Sequence, residues 1–477
     1  MSGVKLHIQR YRSQDPNLKS QDLLYIPLGI LSLVCPRRMG LDEFRNLSHF
    51  QYNILYQPYP GLKATFFYLC PKLASALFME YRIINVDDKR TRNLFHDVIR
   101  SIYKNDKNFV CPPDDVIEGI FTPKKNTFFN HGEATRWILV DEKNNLAGRV
   151  AAFINNKKAY TFQVPTGGMG FFECIEDYKA AEILFDTCRA WLTERGMEAM
   201  DGPINFGEND NFWGLLVEGF IPQSFGMNYN PPYYRTFFEK YGFTIYFEQV
   251  TNLIDRSKPF PERFWKIADW VRQKPEFNFR PFSYDESEKF IADFIEVYND
   301  AWQFHENFTP TNAEAIRGML TEIKPFMVPE FIWFAYRGNE PIAFELMLPD
   351  LNQMLRYFNG KINLWGKLKV GLIGKKRIFT RSRIVILGVK PQYQKSGIES
   401  ALFWYMDSVM KKNPQYKEIE LSWVGDFNPK MRMLHESVGG SFSKRHITYR
   451  KYFNEMNAAG RSVIIPVNTR EKVISQN

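Results

Sequence analysis

Two stretches far apart in the chain alternate apolar and polar positions in the same way. Arg136-Trp-Ile-Leu-Val, the polar turn Asp-Glu-Lys-Asn-Asn and Leu146-Ala-Gly-Arg-Val-Ala-Ala-Phe-Ile predict one hairpin. Phe331-Ile-Trp-Phe-Ala-Tyr, the turn Arg337-Gly-Asn-Glu-Pro and Ile342-Ala-Phe-Glu-Leu-Met predict another. Each is followed by a strand, an amphipathic helix and a further strand. The first helix starts at Tyr178, with Asp177 as its cap, repeats apolar residues at Ala180, Ala181, Leu184, Phe185 and Cys188, and stops at Gly196. The second helix follows Gly397 and ends at Asn413-Pro414. A third match closes the repeat: Asn230-Pro and Asn428-Pro each open a short helix, since proline suits a first turn, and glycine ends it. This internal repeat predicts two similar α/β domains, 79–255 and 276–453, with a linker, 256–275, containing Ser257-Lys-Pro-Phe-Pro, and a polar tail, 454–477.

The first 78 residues differ from the rest. Six prolines interrupt them, and their two apolar runs, 23–35 and 64–79, are shorter than the roughly 20 residues a membrane helix needs. No membrane span and no export signal is expected here. Met79-Glu-Tyr-Arg-Ile-Ile reads as the first strand of a domain. Two expectations follow for the leader 1–78: an over-extended reading frame with Met79 as the biological start, or an accessory arm contacting lipid or a partner.

Composition adds less. Hydrophobic residues at 44% and charged residues at 24% suit a globular protein and exclude a disordered one. The net charge of +9 suits phosphate-bearing ligands without requiring them. Cys35, Cys70, Cys111, Cys174 and Cys188 form no C-x-x-C pair; they fit a reducing cytoplasm and outline neither a zinc site nor a disulfide framework. The basic stretch 361–383, with Lys361, Lys375, Lys376, Arg377 and Arg381 among others, is a solvated loop or a surface for phosphate, an acidic acceptor or a membrane.

The most informative stretch is Ile384-Val-Ile-Leu-Gly-Val-Lys-Pro-Gln-Tyr-Gln-Lys-Ser-Gly-Ile-Glu. An apolar strand runs through a short loop into a helix, whose N-terminal N–H groups suit a pyrophosphate. Here the sequence resembles the GCN5-related N-acetyltransferase (GNAT) superfamily, whose cofactor motif reads V-x-P-x-x-R/Q-x-x-G-x-G/A. Val389, Pro391, Gln394 and Gly397 agree, while Glu399 replaces the final small residue and sets a carboxylate beside the pyrophosphate. Downstream, Asn428, Met431, Leu434, His435 and Gly439 fall in register with a second motif, His435 standing where the superfamily often has a catalytic tyrosine.

The resemblance implies two tandem acyltransferase-like domains, each a mixed, mostly antiparallel sheet flanked by helices. It implies acetyl-CoA or another acyl-CoA as co-substrate, no metal, and direct attack of a small-molecule or peptide amine on the thioester. Leu387, Gly388 and Val389 would polarise the carbonyl, and Gln394, Lys395, Ser396, Gly397, Ile398 and Asn428 would hold the cofactor. His435 would protonate the thiolate, and Glu345 or Glu420 would deprotonate the amine. The first half lacks the glycine loop, having Phe172-Glu-Cys-Ile-Glu-Asp-Tyr instead, and Phe238 stands at its tyrosine position; it is expected to be a degenerate partner. Segments rich in Asn, Trp, Tyr and Pro resemble cleft loops of a tandem bacterial branch of the superfamily, which makes Asn205, Asn228, Tyr229, Tyr233, Trp302 and His305 candidate substrate contacts. Two other functions stay open: a non-catalytic ligand-binding or assembly protein retaining the fold, and an aminoacyl-tRNA-dependent transferase. DNA binding is not expected, and the oligomeric state is not legible.

Overall fold

A computed structural model describes residues 80–303, 310–361, 379–454 and 460–462, together with the pairs Arg10–Tyr11 and Leu23–Leu24. The chain divides into two units, Met1–Glu80 and Tyr81–Asn477. In the first, Arg10–Tyr11 pairs antiparallel with Leu23–Leu24; the rest of the expected leader lies outside the described residues, as do His305 and 362–378 of the basic stretch.

In the second unit the first half runs β1 (Arg82–Asn85), α1 (Lys89–Ile102), α2 (Asp114–Ile120), β2 (Gly132–Val140), β3 (Leu146–Asn155), β4 (Thr166–Cys174), α3 (Tyr178–Thr193), β5 (Ala199–Gly202), β6 (Leu215–Glu218), α4 (Tyr234–Tyr241) and β7 (Thr244–Asp255). The second runs α5 (Glu262–Arg272), β8 (Phe277–Pro281), α6 (Ser287–Trp302), α7 (Ala313–Ile323), β9 (Ile332–Arg337), β10 (Glu340–Pro349), β11 (Arg381–Val389), α8 (Ile398–Lys411), β12 (Glu418–Gly425), α9 (Pro429–Ser437) and β13 (Ser441–Tyr452). Local chemistry explains the boundaries. The carboxylate of Asp177 accepts the Lys179 N–H at the start of α3, and the Asn428 side chain accepts the Met431 N–H at the start of α9. Stretch 256–275, expected as a linker, contains α5 instead: Phe264, Ala268 and Val271 recur at helical spacing and are buried.

The described strands of this unit form one mixed sheet in the order β8-β9-β10-β11-β12-β7-β13-β5-β4-β3-β2-β1, with β6 also on β13. Two neighbours are parallel, β4 with β5 and β11 with β12; the other pairs are antiparallel. The halves exchange edges. Strand β7, from the first half, lies between β12 and β13 of the second, and β13 pairs with β5 of the first. Ile447 and Tyr449 on β13 are buried in the first half's core beside Leu184, Phe185 and Phe238. Arg450 donates two hydrogen bonds to Asp201 there, at 2.6 and 2.7 Å.

Each parallel pairing is short. Residues 166–168 match 199–201, and 381–384 match 418–421, after which the strands part. On the second half, α8 packs against β9 and β10 through Ile398, Ala401, Leu402, Phe403 and Met406, each almost wholly buried. At about 1.5–3 kcal/mol for each large apolar side chain, that burial fixes where the helix begins. The strand-to-helix loop is therefore held at the mouth of the parted strands.

Candidate functional site

The gap between β11 and β12 opens into a cavity of about 1660 Å3 that reaches both halves. Val385, Ile386, Leu387, Gly388 and Val389 form one wall, and Leu421, Trp423, Val424 and Phe427 the other. A side chain at position 388 would meet Trp302 at 2.7 Å, so glycine is what lets Trp302 rest on the strand. Trp302 in turn stacks on Tyr298, their centroids 4.8 Å apart.

At the loop between β11 and α8 the backbone turns through left-handed conformations at Lys395 (φ 63°) and Gly397 (φ 84°). A Cβ on Gly397 would meet Ile267 and Val271 of α5 at 2.6 and 2.9 Å, so glycine serves both the turn and the close approach of α5. By helix geometry the N–H groups of Ile398, Glu399 and Ser400 have no backbone acceptor within α8; the Glu399 carboxyl takes its own N–H, which leaves those of Ile398 and Ser400 for an anion. Gln394, Lys395, Ser396, Gly397 and Lys430 line the cavity beside them. The Lys430 ammonium donates to Gln394 Oε1 at 3.3 Å, and its pKa is lowered, first by burial and then by the charge of Lys395. An anionic phosphate between the two lysines would relieve that repulsion. Glu399, in the first turn of α8, also faces the cavity, and burial raises its carboxyl pKa.

Other sequence-derived candidates divide. Asn205, Trp302, Asn428 and His435 line the same cavity as the loop. Ile398 is wholly buried, so only its backbone can serve a ligand. His435 is buried, which pushes its pKa down to about 4, so the imidazole is neutral near pH 7, a hydrogen-bond donor through one N–H rather than an imidazolium acid. Glu420, on β12, forms an ion pair with the fully buried Lys444, with Arg383 3.7 Å away. Those cations outweigh its burial and hold the carboxyl down at about 2, a weak base. Glu345 is buried with neither carboxylate oxygen hydrogen-bonded, and burial pushes its pKa up to about 8. Neither glutamate lines the cavity.

Asn228, Tyr229 and Tyr233 lie outside the lining and serve the first half's loops. Asn228 donates to Gly214 O, Tyr229 to Asp106, and Tyr233 to Cys174 O. At the first half's counterpart of the cofactor loop, Glu173 is buried and accepts hydrogen bonds from Tyr103 and Tyr234, so a carboxylate network stands where an anion nest would be. Phe238 is core.

The sequence reading missed Lys430 and the segment 207–211. The latter, Gly-Glu-Asn-Asp-Asn, lines the cavity. Its signal was an acidic, asparagine-rich run between two segments already singled out, Asp201-Gly-Pro-Ile-Asn-Phe and Trp213-Gly-Leu-Leu.

No family model matches the chain. The bacterial ceramide synthase of Caulobacter vibrioides is 27% identical over 352 residues, covering 72% of this chain and 91% of that protein. Protein YghO of Escherichia coli K12 is 25% identical over 356 residues, covering 74% and 90%. Among solved structures, a tandem GNAT protein from the clavulanic acid biosynthesis pathway aligns with a TM-score of 0.49 at 9% identity, over 79% of this chain and 99% of that one. A GCN5-related N-acetyltransferase from Sphaerobacter thermophilus aligns with a TM-score of 0.46 at 11% identity, over 81% and 98%. Parted parallel strands recur in both halves, and in the second the left-handed loop before α8 stands at their mouth.

Proposed function

We propose that the protein is an acyl-CoA-dependent N-acyltransferase whose acceptor is a long-chain amine. The observation that carries this reading is the left-handed loop at the start of α8, with Lys395 and Lys430 beside it, opening into the gap between β11 and β12. Glu399 is the one residue there that opposes an anion, and its raised pKa reduces the charge it carries. The cavity supports a lipid substrate. It exceeds the roughly 300–1,000 Å3 of an ordinary ligand pocket, and Phe153, Phe206, Phe247, Phe294, Ile316 and Leu346 give it apolar walls. A ceramide is the amide of a fatty acyl group with a long-chain amino alcohol. The name of the Caulobacter relative thus matches the bond that this fold and cavity suit.

In this reading, first-turn N–H groups of α8 and the two lysines hold the pyrophosphate. Backbone N–H groups of β11 at Leu387 and Val389, on the edge that β12 leaves, polarise the thioester carbonyl, while that of Gly388 faces β10. The neutral His435 lends the departing sulfur a hydrogen bond. The test uses the full chain, titrated calorimetrically with acetyl-CoA and with CoA, beside Gly397→Trp. It then takes palmitoyl-CoA with sphinganine, the amide product being read by mass spectrometry. Micromolar binding that the variant loses, with amide formed, is the expected result. Absence of binding by folded protein overturns the reading and favours a binding or assembly protein that retains the fold.

A further inference from the structure

Of the second half's carboxylates, Glu345 and Glu420 do not line the cavity, Glu399 lies at the helix start beside the anion loop, and Asp350 is buried and held by the Phe225 and Asn352 N–H groups and Arg381. Across the gap, the first half supplies a further carboxylate. Trp423, on the β12 arm of the opening, donates from its indole to Asn209 O at 3.2 Å, which ties the loop 205–211 to the place where an acyl thioester would lie. Asp210 faces the cavity from this loop. On the other side Tyr298 is near enough for the charges of Glu208 and Asp210 to affect its phenol, and Tyr298 stacks on Trp302, which rests on Gly388. Contacts thus run from β11 through Trp302 to Tyr298, which the charges of the acidic loop reach. An independent sign of a ligand is Asn205: it is 92% buried by its 8% exposure, lines the cavity, and its Oδ1 has no hydrogen-bond partner. Trp213, also in the lining, has an unpartnered indole nitrogen.

We propose that Asp210 accepts the proton of the attacking amine, and that the loop 205–211 of the cofactor-less first half holds the polar end of a cationic long-chain acceptor. This deepens, and rests on, the acyltransferase reading above. The acceptor's ammonium gives one proton to the Asp210 carboxylate. The nitrogen lone pair then forms the N–C bond at the acyl carbon, and the C–S bond breaks with its electron pair on sulfur. The second nitrogen proton ends on that thiolate, giving an amide and a free thiol, and Asp210 returns its proton to solvent. Asp210 stands exposed at the cavity, and the surrounding protein raises its carboxyl pKa, with Glu208 adding to the shift and its own backbone N–H, Arg383 and Asn211 opposing it. Glu208 is itself paired with Lys158 at 2.9 Å, which leaves Asp210 as the carboxylate of the pair without a close ammonium partner among the described ion pairs.

The experiment measures amide formation from palmitoyl-CoA and sphinganine by the full chain, for wild type, Asp210→Asn and Asp210→Glu, with CoA binding by calorimetry on each. Asp210→Asn is expected to bind CoA as wild type does and to lose about a hundredfold or more in kcat, the usual worth of a positioned base. The acidic limb of the wild-type pH profile is expected to disappear with it, and Asp210→Glu to restore part of the rate. Asn205→Ala is expected to raise KM for sphinganine and to leave KM for octadecylamine, which lacks the hydroxyls, unchanged. If wild type acylates and Asp210→Asn keeps its rate within about threefold, Asp210 is not the base and the acyltransferase reading survives. If wild type forms no amide, both fall together.

Discussion

Glu399 is where this chain departs from the motif it otherwise carries, and a single charge there has a definite sign. Its carboxyl sits in the first turn of α8, where it accepts its own backbone N–H, and burial raises its pKa. Below that raised pKa the group is neutral and leaves a pyrophosphate unopposed; as pH rises through it, the new negative charge repels the ligand and competes for a helix N–H. CoA affinity in wild type is therefore expected to fall with rising pH. Glu399→Ala is expected to bind CoA about tenfold more tightly on the alkaline side, roughly 1.4 kcal/mol, and with a flatter pH dependence. Titrations of both proteins at several pH values check this; parallel curves would show that the carboxyl points away from the phosphates. His435 teaches a related lesson. Sequence register put it at an acid's position, but whether a histidine carries a proton depends on its burial, which register does not report.

At the scale of elements, Glu345 is a carboxyl on a strand that packs on both faces. It sits at the middle of β10, opposite Trp333 of β9 and Leu387 of β11, with no hydrogen bond to either oxygen. Its ordinary pKa of 4.5 rises to about 8 in the fold. Between those values the native state holds the proton more tightly than the unfolded chain, so stability from this group is complete below 4.5, declines as pH rises to about 8, and is flat beyond. Glu345→Gln, which has no charge to desolvate, should match wild type near about pH 5 and exceed it near about pH 9 in urea midpoint. Equal midpoints at both would mean that water reaches the carboxylate. The hairpins, the Asp177-capped helix and the glycine loop were legible in the sequence because period, cap and positive φ are local properties. Helix α5 was not, because Ser257-Lys-Pro-Phe-Pro reads as a linker while the apolar positions that follow acquire meaning only against α8. Asp210 escaped for the same kind of reason: an acidic run becomes a site only when a strand from the other half, through Trp423, is folded against it.

The exchange of β7 and β13 belongs to the whole molecule. Sequence pattern says nothing of which strands become neighbours, and an internal repeat suggests two domains that could be separated. The sheet joins them instead. Removing β13 would strip β5, β6 and β7 of a shared partner, take Ile447 and Tyr449 out of the first half's core, and leave Asp201 without Arg450. Each large core side chain costs about 2–5 kcal/mol when truncated to alanine, and breaking a buried ion pair costs about 3–5 kcal/mol. Such losses are comparable with the whole stability of a domain, about 5–15 kcal/mol. A fragment spanning 80–255 is therefore expected not to fold, and residues 81–477 to unfold in one calorimetric transition whose van't Hoff and calorimetric enthalpies agree. The same exchange unites the half that carries the acidic loop with the half that carries the gap between β11 and β12, which Trp423 ties to Asn209. Two resolved transitions, or a fragment 80–255 with a native near-ultraviolet spectrum, would mean that the halves are joined only at their edges and that Asp210 is free to move away from the thioester.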